Sequence, residues 1–132
     1  MSIQIRKVSS KKELKTFVRF ANRLYKGNKY YVPSMPMDDM NTFTPEKNGA
    51  FDFSEAELYL AYKGDEVVGR VAAIINHKAN EAWKVKQVRF GWIDFIDDLE
   101  VSKALIDAVV AFGKARGMEQ VVGPLGFTDF DP

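Results

Sequence analysis

The chain has 132 residues, of which 46% are hydrophobic and 28% are charged, the balance of an ordinary soluble globular protein. It contains no cysteine, which excludes disulfides and thiolate chemistry, and its one histidine, His77, cannot supply a multi-histidine metal site. No apolar run approaches the roughly 18 residues that span a bilayer, and no signal-peptide core follows the N-terminus. We therefore expect a cytoplasmic protein without a metal and without a membrane partner.

The net charge of +1 is unevenly distributed along the chain. Residues 1–30 contain nine Lys and Arg against one acid, a net of +8. The other 102 residues contain ten bases against seventeen acids, a net of −7. The first segment could meet an acidic partner, or the acidic remainder of its own fold.

A short strand and a long helix are predicted at the N-terminus. Ile3 and Ile5 alternate with polar residues, and Ser10 with Glu13 three positions later forms a capping box. The helix that follows is predicted to end near Gly27, and its apolar stripe consists of Leu14, Phe17, Val18, Ala21, Leu24 and Tyr25.

The opposite face of this helix has a base at every fourth position, namely Lys11, Lys15, Arg19 and Arg23. Such a face could bind nucleic acid, a ribose phosphate or an acidic partner, and a solvated helix face is the alternative. Nucleic acid is not expected, because the overall charge is near neutral and no nucleic-acid module is recognisable.

Residues 28–56 have no sustained period, and three prolines, at positions 33, 36 and 45, interrupt any helix there. The segment is too apolar for a free linker, since it contains Tyr30, Tyr31, Phe43, Phe51 and Phe53. We predict a long irregular excursion that its aromatic residues anchor to the body, with a short helix around Met37–Met40.

The second half of the chain alternates with the period of strands. Glu57–Lys63 and Glu66–Asn76 flank the turn dipeptide Gly64-Asp65, which predicts a hairpin. A third strand is predicted at about 86–96, and apolar residues on both of its faces indicate an interior strand. Strict alternation would place five of its residues on one face: Val88, Phe90, Trp92, Asp94 and Ile96.

A second helix and a last strand complete the pattern. The acids Asp97, Asp98 and Glu100 favour a helix start, and Arg116-Gly117 favours its end. The buried stripe of this helix is predicted to consist of Val101, Ala104, Leu105, Ala108, Val109 and Phe112. A strand at 120–123 follows.

Several segments carry a family resemblance. The hairpin at 58–73 has Val68-Gly69 shortly after its turn, and Ala115–Met118 precedes a valine-rich strand. Tyr30–Pro33 and Gly123–Phe127 form two further motifs. Together these segments resemble the GNAT superfamily of acyl-CoA-dependent N-acyltransferases, and in particular a bacterial GNAT-like subgroup with longer chains. The resemblance implies an α/β fold with a mixed, mostly antiparallel central sheet flanked by helices.

The resemblance stops at the fifth strand, so the last helix and strands of the family would lie beyond Pro132. The segment 127–132 has two aromatics and no stop signal. We therefore expect residues 1–132 to be a single GNAT-like domain and a fragment of a longer chain, whose C-terminal part would be its partner. Without that part, the last strand would expose apolar surface and unpaired amides, which predicts a homodimer through this strand.

The resemblance implies acetyl-CoA or another acyl-CoA as the cofactor. By position alone, the cofactor-binding candidates are Ile93 and Phe95 on the third long strand and Ser102 and Lys103 in the second helix. The family binds the CoA pyrophosphate with the motif Q/R-x-x-G-x-G/A, and the matching stretch here is Asp97–Ser102.

This stretch departs from the motif, because Asp97 occupies the Arg/Gln position and Glu100 the position of the first glycine. At an effective dielectric of about 20, each like-charge pair at about 4 Å costs on the order of 4 kcal/mol. The acids would also occupy the helix amides that phosphates need. We expect CoA to bind poorly here in the usual pose.

Asp94 is the candidate catalytic residue, because some GNAT enzymes carry an acidic general base on this strand. The alternative is an aspartate that is salt-bridged or hydrated at a strand end. His77 is expected at the rim, without a catalytic or metal role. Trp83, Trp92, Tyr30 and Tyr31 could line an acceptor pocket or serve as core and loop anchors.

Two glycines lie inside predicted strands, where they can mark a bulge or a close approach of backbones. These are Gly69 and Gly91. In GNAT folds, a bulge in the strand that corresponds to Gly91 helps to open the sheet for the thioester.

Two functions follow from the resemblance. The first is an N-acyltransferase that moves an acyl group from CoA to an amine, with a degenerate pyrophosphate loop. The second is a non-catalytic GNAT-like domain that supports a second domain or binds a partner or small molecule.

Overall fold

The computed structural model describes residues 3–24, 26, 40, 43–44 and 54–123. Its elements in chain order are β1 Ile3–Lys7, α1 Lys11–Leu24, β2 Ser54–Lys63, β3 Glu66–Asn76, α2 His77–Trp83, β4 Gln87–Phe95, α3 Leu99–Ala115 and β5 Gln120–Val122. The predicted helix end at Gly27, the short helix at Met37–Met40 except for Met40 itself, and the segment 124–132 lie outside these residues.

The described strands form one sheet in the order β1-β2-β3-β4-β5. Neighbours from β1 to β4 are antiparallel, whereas β5 runs parallel to β4. A parallel pair requires a crossover connection, and α3 provides it. The α/β fold with a mixed, mostly antiparallel sheet, which the family resemblance implies, is therefore confirmed.

The central strand β3 contributes to two cores, because alternate side chains of a strand point to opposite faces. Ten of its eleven residues are buried. Val71, Ala73 and Ile75 belong to the cluster on the α3 side of the sheet, which we call the α3-side core. Ala72 and Ile74 belong to the cluster on the other face, the α1-side core.

Each long helix closes one of these cores with its apolar stripe. The residues of α3 in the α3-side core are Val101, Leu105, Val109 and Phe112. The residues of α1 in the α1-side core are Phe17, Val18 and Phe20, and Phe43 of the predicted excursion joins them. The anchoring expected of the excursion is thus seen for Phe43, which is 7% exposed. The other aromatics of that segment lie outside the described residues.

The N-terminal caps of both helices were predicted, with one difference in detail. The Ser10 hydroxyl accepts a hydrogen bond from the Glu13 amide at 3.1 Å. The Glu13 carboxylate accepts from the amide of Ser9, not from that of Ser10, at 3.1 Å. In α3, Asp98 is the N-cap and its carboxylate accepts from the Glu100 amide at 2.9 Å.

Two elements differ from the sequence expectation. β2 begins at Ser54, so the last three residues assigned to the excursion are strand. The helix α2 was not predicted, because its seven residues include no buried side chain and so leave no apolar stripe to read. Its signal was the N-cap Asn76, whose side chain accepts a hydrogen bond from the Ala79 amide at 2.9 Å.

The predicted dimer through the last strand stays a prediction. β5 pairs with β4 on one side and lies at the edge of the sheet formed by the described strands. Its middle residue, Val121, is 39% exposed.

Candidate functional site

A bulge interrupts β4 close to its C-terminal end. Arg70 pairs with Asp94 and Ala72 pairs with Gly91, so two steps along β3 face three steps along β4. The residue next to Gly91 within this bulge is Trp92, which has a φ of 47°. A bulky residue at positive φ costs on the order of 1–3 kcal/mol, so the surrounding structure must hold it there.

The bulge overturns the predicted arrangement of side chains on this strand. Val88 and Phe90 contact the α3-side core, and so does Ile93, which strict alternation places on the other face. Ile96, which lies beyond the end of β4, contacts this core as well. Trp92 instead packs against the α1-side core. The extra residue reverses the alternation, since each added residue moves the following side chains to the other face of the sheet.

Aromatic packing supports Trp92 on the α1 side. Its ring meets that of Phe43 edge to face, with centroids 4.8 Å apart. Phe43 in turn meets Phe17 of α1 at 5.4 Å, also edge to face. Such pairs contribute about 0.5–1.5 kcal/mol each beyond the burial of their area, which is of the size needed to offset the strained backbone.

An ion pair fixes the other side of the bulge. The Arg70 guanidinium donates to Oδ2 of Asp94 from Nε at 2.9 Å, and Nη2 lies 2.8 Å from the same oxygen. Nη1 donates to the Phe17 carbonyl at 2.8 Å, and the guanidinium lies over the Phe17 ring. Arg70 is buried, with 5% of its surface exposed.

Asp94, the predicted general base, is therefore a partner in a largely buried salt bridge. This is the arrangement that the alternative prediction for this residue described. Its carboxylate lies on the α1 side of the sheet, because Arg70 bonds at the same time to α1. Sequence spacing gave no sign of the pair, since the two residues are 24 positions apart. A catalytic role for Asp94 stays a prediction.

Backbone amides in the turn between β4 and α3 are hydrogen-bonded to Asp98 of the same turn. The Asp98 carboxylate takes the Glu100 amide, and the Asp98 carbonyl takes the amides of Val101 and Ser102 at 3.1 and 3.2 Å. The second carboxylate oxygen of Asp98 lies 3.5 Å from Nζ of Lys63. The amides of Glu100, Val101 and Ser102, which belong to the stretch that matches the GNAT motif, are thus engaged within the chain.

The four cofactor-binding candidates lie on the two sides of this turn. Ile93 packs against the α3-side core, and Phe95 is 37% exposed at the end of β4. Ser102 donates its hydroxyl to the Leu99 carbonyl at 3.1 Å, and Lys103 is exposed. The structure thus brings the four to one end of the sheet, whereas Asp94 points to the opposite face.

Gly69 permits the close approach that its position in a strand predicted. A Cβ there would lie 2.9 Å from Cγ1 of Val101 and 3.0 Å from Cδ1 of Leu105. The first turns of α3 therefore rest directly on the backbone of β3, and the turn that precedes α3 is held close to the sheet.

A polar cluster that sequence analysis missed lies on β2. Arg116, at the end of α3, bonds to the carboxylates of Glu55 and Glu57. Glu57 also accepts from the Tyr59 hydroxyl, and Glu55 lies 3.0 Å from Nε2 of His77. The only signal was the alternation of two acids on one strand face, and their partner lies about 60 residues away.

The ionisation of this cluster follows from its contacts. Burial acts to raise the pKa of Glu57, but hydrogen bonds from Tyr59 and Lys7 outweigh it and hold the pKa below its usual value. Burial acts in the same direction on Glu55, where His77 and Arg116 hold the pKa below its usual value. Burial, and then the Glu57 carboxylate, raise the pKa of Tyr59. The cluster fastens the end of α3 to β2.

His77 lies at the rim as expected, exposed and paired with Glu55. Among the described residues, no group of three or more His, Cys, Asp or Glu side chains is placed to hold a metal ion. Within the same residues, no helix has the length and apolarity needed to cross a bilayer.

Comparison with protein-family models gives no match. Two curated proteins are similar in sequence. Protein YghO of Escherichia coli (strain K12) is 31% identical over 120 residues, which are 91% of this chain and 30% of that protein. The bacterial ceramide synthase of Caulobacter vibrioides is 30% identical over 122 residues, which are 92% of this chain and 32% of that protein. The chain thus spans about a third of the length of these relatives.

Solved structures with a similar fold are GNAT proteins. A tandem GNAT protein from the clavulanic acid biosynthesis pathway has a TM-score of 0.67 at 10% identity, over 89% of this chain and 34% of that one. AAC(6')-Iy in complex with a CoA-containing bisubstrate analogue has a TM-score of 0.65 at 17% identity, over 96% of this chain and 81% of that one. An aminoglycoside acetyltransferase from an uncultured soil metagenomic sample has a TM-score of 0.63 at 12% identity, over 93% and 77% of the two chains. The chain therefore has the GNAT fold, as the hairpin at 58–73 and the segment Ala115–Met118 led us to expect.

Proposed function

We propose that the protein to which this chain belongs is an N-acyltransferase that moves an acyl group from CoA to an amine. The observation that carries the proposal is the bulge at Trp92, because a bulge in this strand is where GNAT folds open the sheet for the thioester. The curated relative named bacterial ceramide synthase supports the same chemistry, since a ceramide is an N-acylated long-chain amino alcohol. Its name also favours a lipid amine as the acceptor.

The proposed step is a direct attack. The lone pair of the neutral amine adds to the thioester carbonyl, the C–S bond breaks, and the CoA thiolate leaves and takes up a proton. The amide nitrogen loses one proton in the same sequence. Asp94 is the candidate to receive that proton, because it follows the bulge directly and Arg70 fixes its carboxylate on the α1 face.

The turn at the start of α3 does not suit the diphosphate of the cofactor. Asp97, Asp98 and Glu100 surround the start of α3, and the amides there are already bonded to Asp98. We propose that the diphosphate of acyl-CoA does not bind on this turn and that other parts of the protein hold it. The second candidate function, a non-catalytic GNAT domain that supports another domain, is favoured by the same observation.

Calorimetry separates the two functions. Acetyl-CoA and a long-chain acyl-CoA would be titrated into the full-length protein and into the 132-residue chain. Binding by the full-length protein alone is expected for the acyltransferase. The absence of binding by either would contradict the acyltransferase and support the non-catalytic domain. Tight binding by the short chain would contradict our account of the acidic turn.

The role of Asp94 is tested by the variant Asp94→Asn in the full-length protein, with amide formation from an acyl-CoA and a long-chain amine as the assay. Loss of a general base lowers the rate by about 10²–10⁴-fold. Asp107→Asn is the control, because Asp107 is an exposed aspartate on the outer side of α3. Equal rates for both variants would remove Asp94 from the mechanism.

A further inference from the structure

The outer surface of α1 is entirely basic. Five positions of the helix are exposed, and each is a lysine or an arginine: Lys11, Lys12, Lys15, Arg19 and Arg23. Lys26, just past the helix, is exposed as well. The one acid of the helix, Glu13, turns back toward Ser9 and Ser10, from which it accepts hydrogen bonds.

These charges are not neutralised by acids within the described part of the chain. Lys11, Lys12, Lys15 and Arg19 form no salt bridge with a described residue. Arg23 donates to the carbonyl of Val67 at 3.0 Å and lies over the ring of Phe20, which anchors its stem to the body. The helix therefore presents a row of cations about 18 Å long from its first to its last exposed base.

The inner side of the helix holds this row in place. Phe17, Val18, Phe20 and Ala21 are buried against the sheet. Within Lys11–Leu24, the apolar side chains are buried or packed against the core, so none is exposed and available to enter a bilayer. Contact with a partner through this face would be electrostatic adsorption onto a surface.

We propose that the basic face of α1 docks the protein onto an anionic bilayer surface. Clusters of four to eight Lys and Arg on an amphipathic helix have this property, and each base near an anionic leaflet raises binding by about fivefold. The proposal rests in part on the proposed function, because a lipid amine is found in a bilayer. The sequence predicted no membrane partner because it contains no segment long enough to span a bilayer. A helix that lies on the bilayer surface does not need a spanning segment.

A bilayer fits this face better than a nucleic acid does. Single-stranded nucleic acid is held by aromatic platforms between the bases, and α1 exposes no aromatic residue. A helix packed along a sheet also presents its charges in one row, which a flat surface can meet along its whole length.

The test is sedimentation of the full-length protein with vesicles, in the absence of acyl-CoA. Vesicles of 30% phosphatidylglycerol in phosphatidylcholine would be compared with pure phosphatidylcholine at about 0.1 M salt. The variant carries Lys11→Gln, Lys15→Gln and Arg19→Gln, which keep the helix propensity nearly unchanged. The control removes the same charge elsewhere, with Lys84→Gln, Lys86→Gln and Lys114→Gln, all of them exposed positions away from α1.

We expect the native protein and the control to bind the anionic vesicles and the α1 variant to bind roughly a hundredfold more weakly. Equal losses in both variants would overturn the proposal, because net charge alone would then set binding. No binding to anionic vesicles, or displacement from them by equimolar duplex DNA, would overturn it as well. Because no acyl-CoA is present, a failure here leaves the proposed acyl transfer to be judged by calorimetry.

Discussion

The helices α1 and α3 cover opposite faces of one sheet, and they differ much more on their outer surfaces than on their inner ones. Both bury a stripe of Phe, Val, Leu or Ala against β3. The exposed positions of α1 are all basic, whereas those of α3 are mixed: Leu99, Glu100, Lys103, Asp107, Ala111, Lys114 and Ala115. Packing against the sheet constrains the inner stripes, and the exposed positions of the two helices are free to differ.

The two sides also differ in what they do to β4. The α1 side holds the bulge, through the ring of Phe43, which lies between Phe17 and Trp92, and through the ion pair of Arg70 with Asp94. The α3 side holds the turn after the bulge, through Gly69 and the Asp98 cap. Paired substitutions on the two sides test this division.

Loss of a core ring is expected to have the largest effect on either side. Phe17→Ala and Phe112→Ala should each lower the free energy of unfolding in urea by about 3–5 kcal/mol, because both rings are buried. Only Phe17→Ala should shift the fluorescence of Trp92, measured with Trp83 replaced by Phe. A shift of equal size in both variants would show that the α3 side also supports the bulge.

Breaking the buried ion pair of Arg70 with Asp94 should lower the free energy of unfolding more than breaking the exposed pair of Lys63 with Asp98. Arg70→Met leaves the Asp94 carboxylate without its guanidinium and is expected to cost about 3 kcal/mol. Lys63→Met removes an exposed partner of Asp98 and should cost less than about 1 kcal/mol. Adding Asp94→Asn to Arg70→Met should restore stability, and continued full loss would mean that packing of the Arg70 side chain dominates.

The two helix caps should contribute equally. Ser10→Ala and Asp98→Ala each remove a cap and are expected to cost about 1 kcal/mol in urea unfolding. Asp98→Asn keeps an acceptor for the Glu100 amide and should be nearly neutral. A gain in stability from Asp98→Asn would indicate that mutual repulsion of the acids in this turn outweighs the cap.

The polar cluster at the end of α3 predicts how stability depends on pH. The lowered pKa values of Glu55 and Glu57 contribute stability above the ordinary value of 4.5, which is lost as the pH falls below it. The raised pKa of Tyr59 keeps the folded phenol protonated, so stability is lost as the pH rises above about 10. Thermal unfolding across pH should show both losses. Tyr59→Phe should remove the contribution of this phenol to the alkaline loss and should also reduce the acid loss, because the Tyr59 hydroxyl helps to hold the pKa of Glu57 down.

The sequence predicted an element correctly where the signal for it lies in neighbouring residues. The serine and acid of each cap, the apolar stripes and the turn at Gly64-Asp65 all act within a few positions, and the corresponding helices and hairpin are observed. The mixed, mostly antiparallel character of the sheet followed from the resemblance to a family. These features depend on short-range physics, which a single sequence carries.

Features that depend on tertiary pairing could not be predicted. Because β4 contains an inserted residue, strict alternation of its side chains predicts the wrong face for Trp92. The sequence placed Trp92 on the face of Phe90, whereas it lies on the opposite face. The partners of Asp94, Glu55 and Glu57 come from distant segments, and no spacing rule connects them. The candidate base could therefore be named, whereas its ion pair could not.

Two glycines fix the height of α3 above the sheet. Gly69 lies beneath its first turns, and at the other end a Cβ on Gly113 would lie 2.8 Å from Cγ1 of Val88. A methyl group at either glycine would push that end of α3, a helix of 17 residues, away from the sheet, and the helix would tilt about the contact at its other end. The distance between α3 and the sheet is thus set by two missing side chains, and a designer could adjust it one carbon at a time.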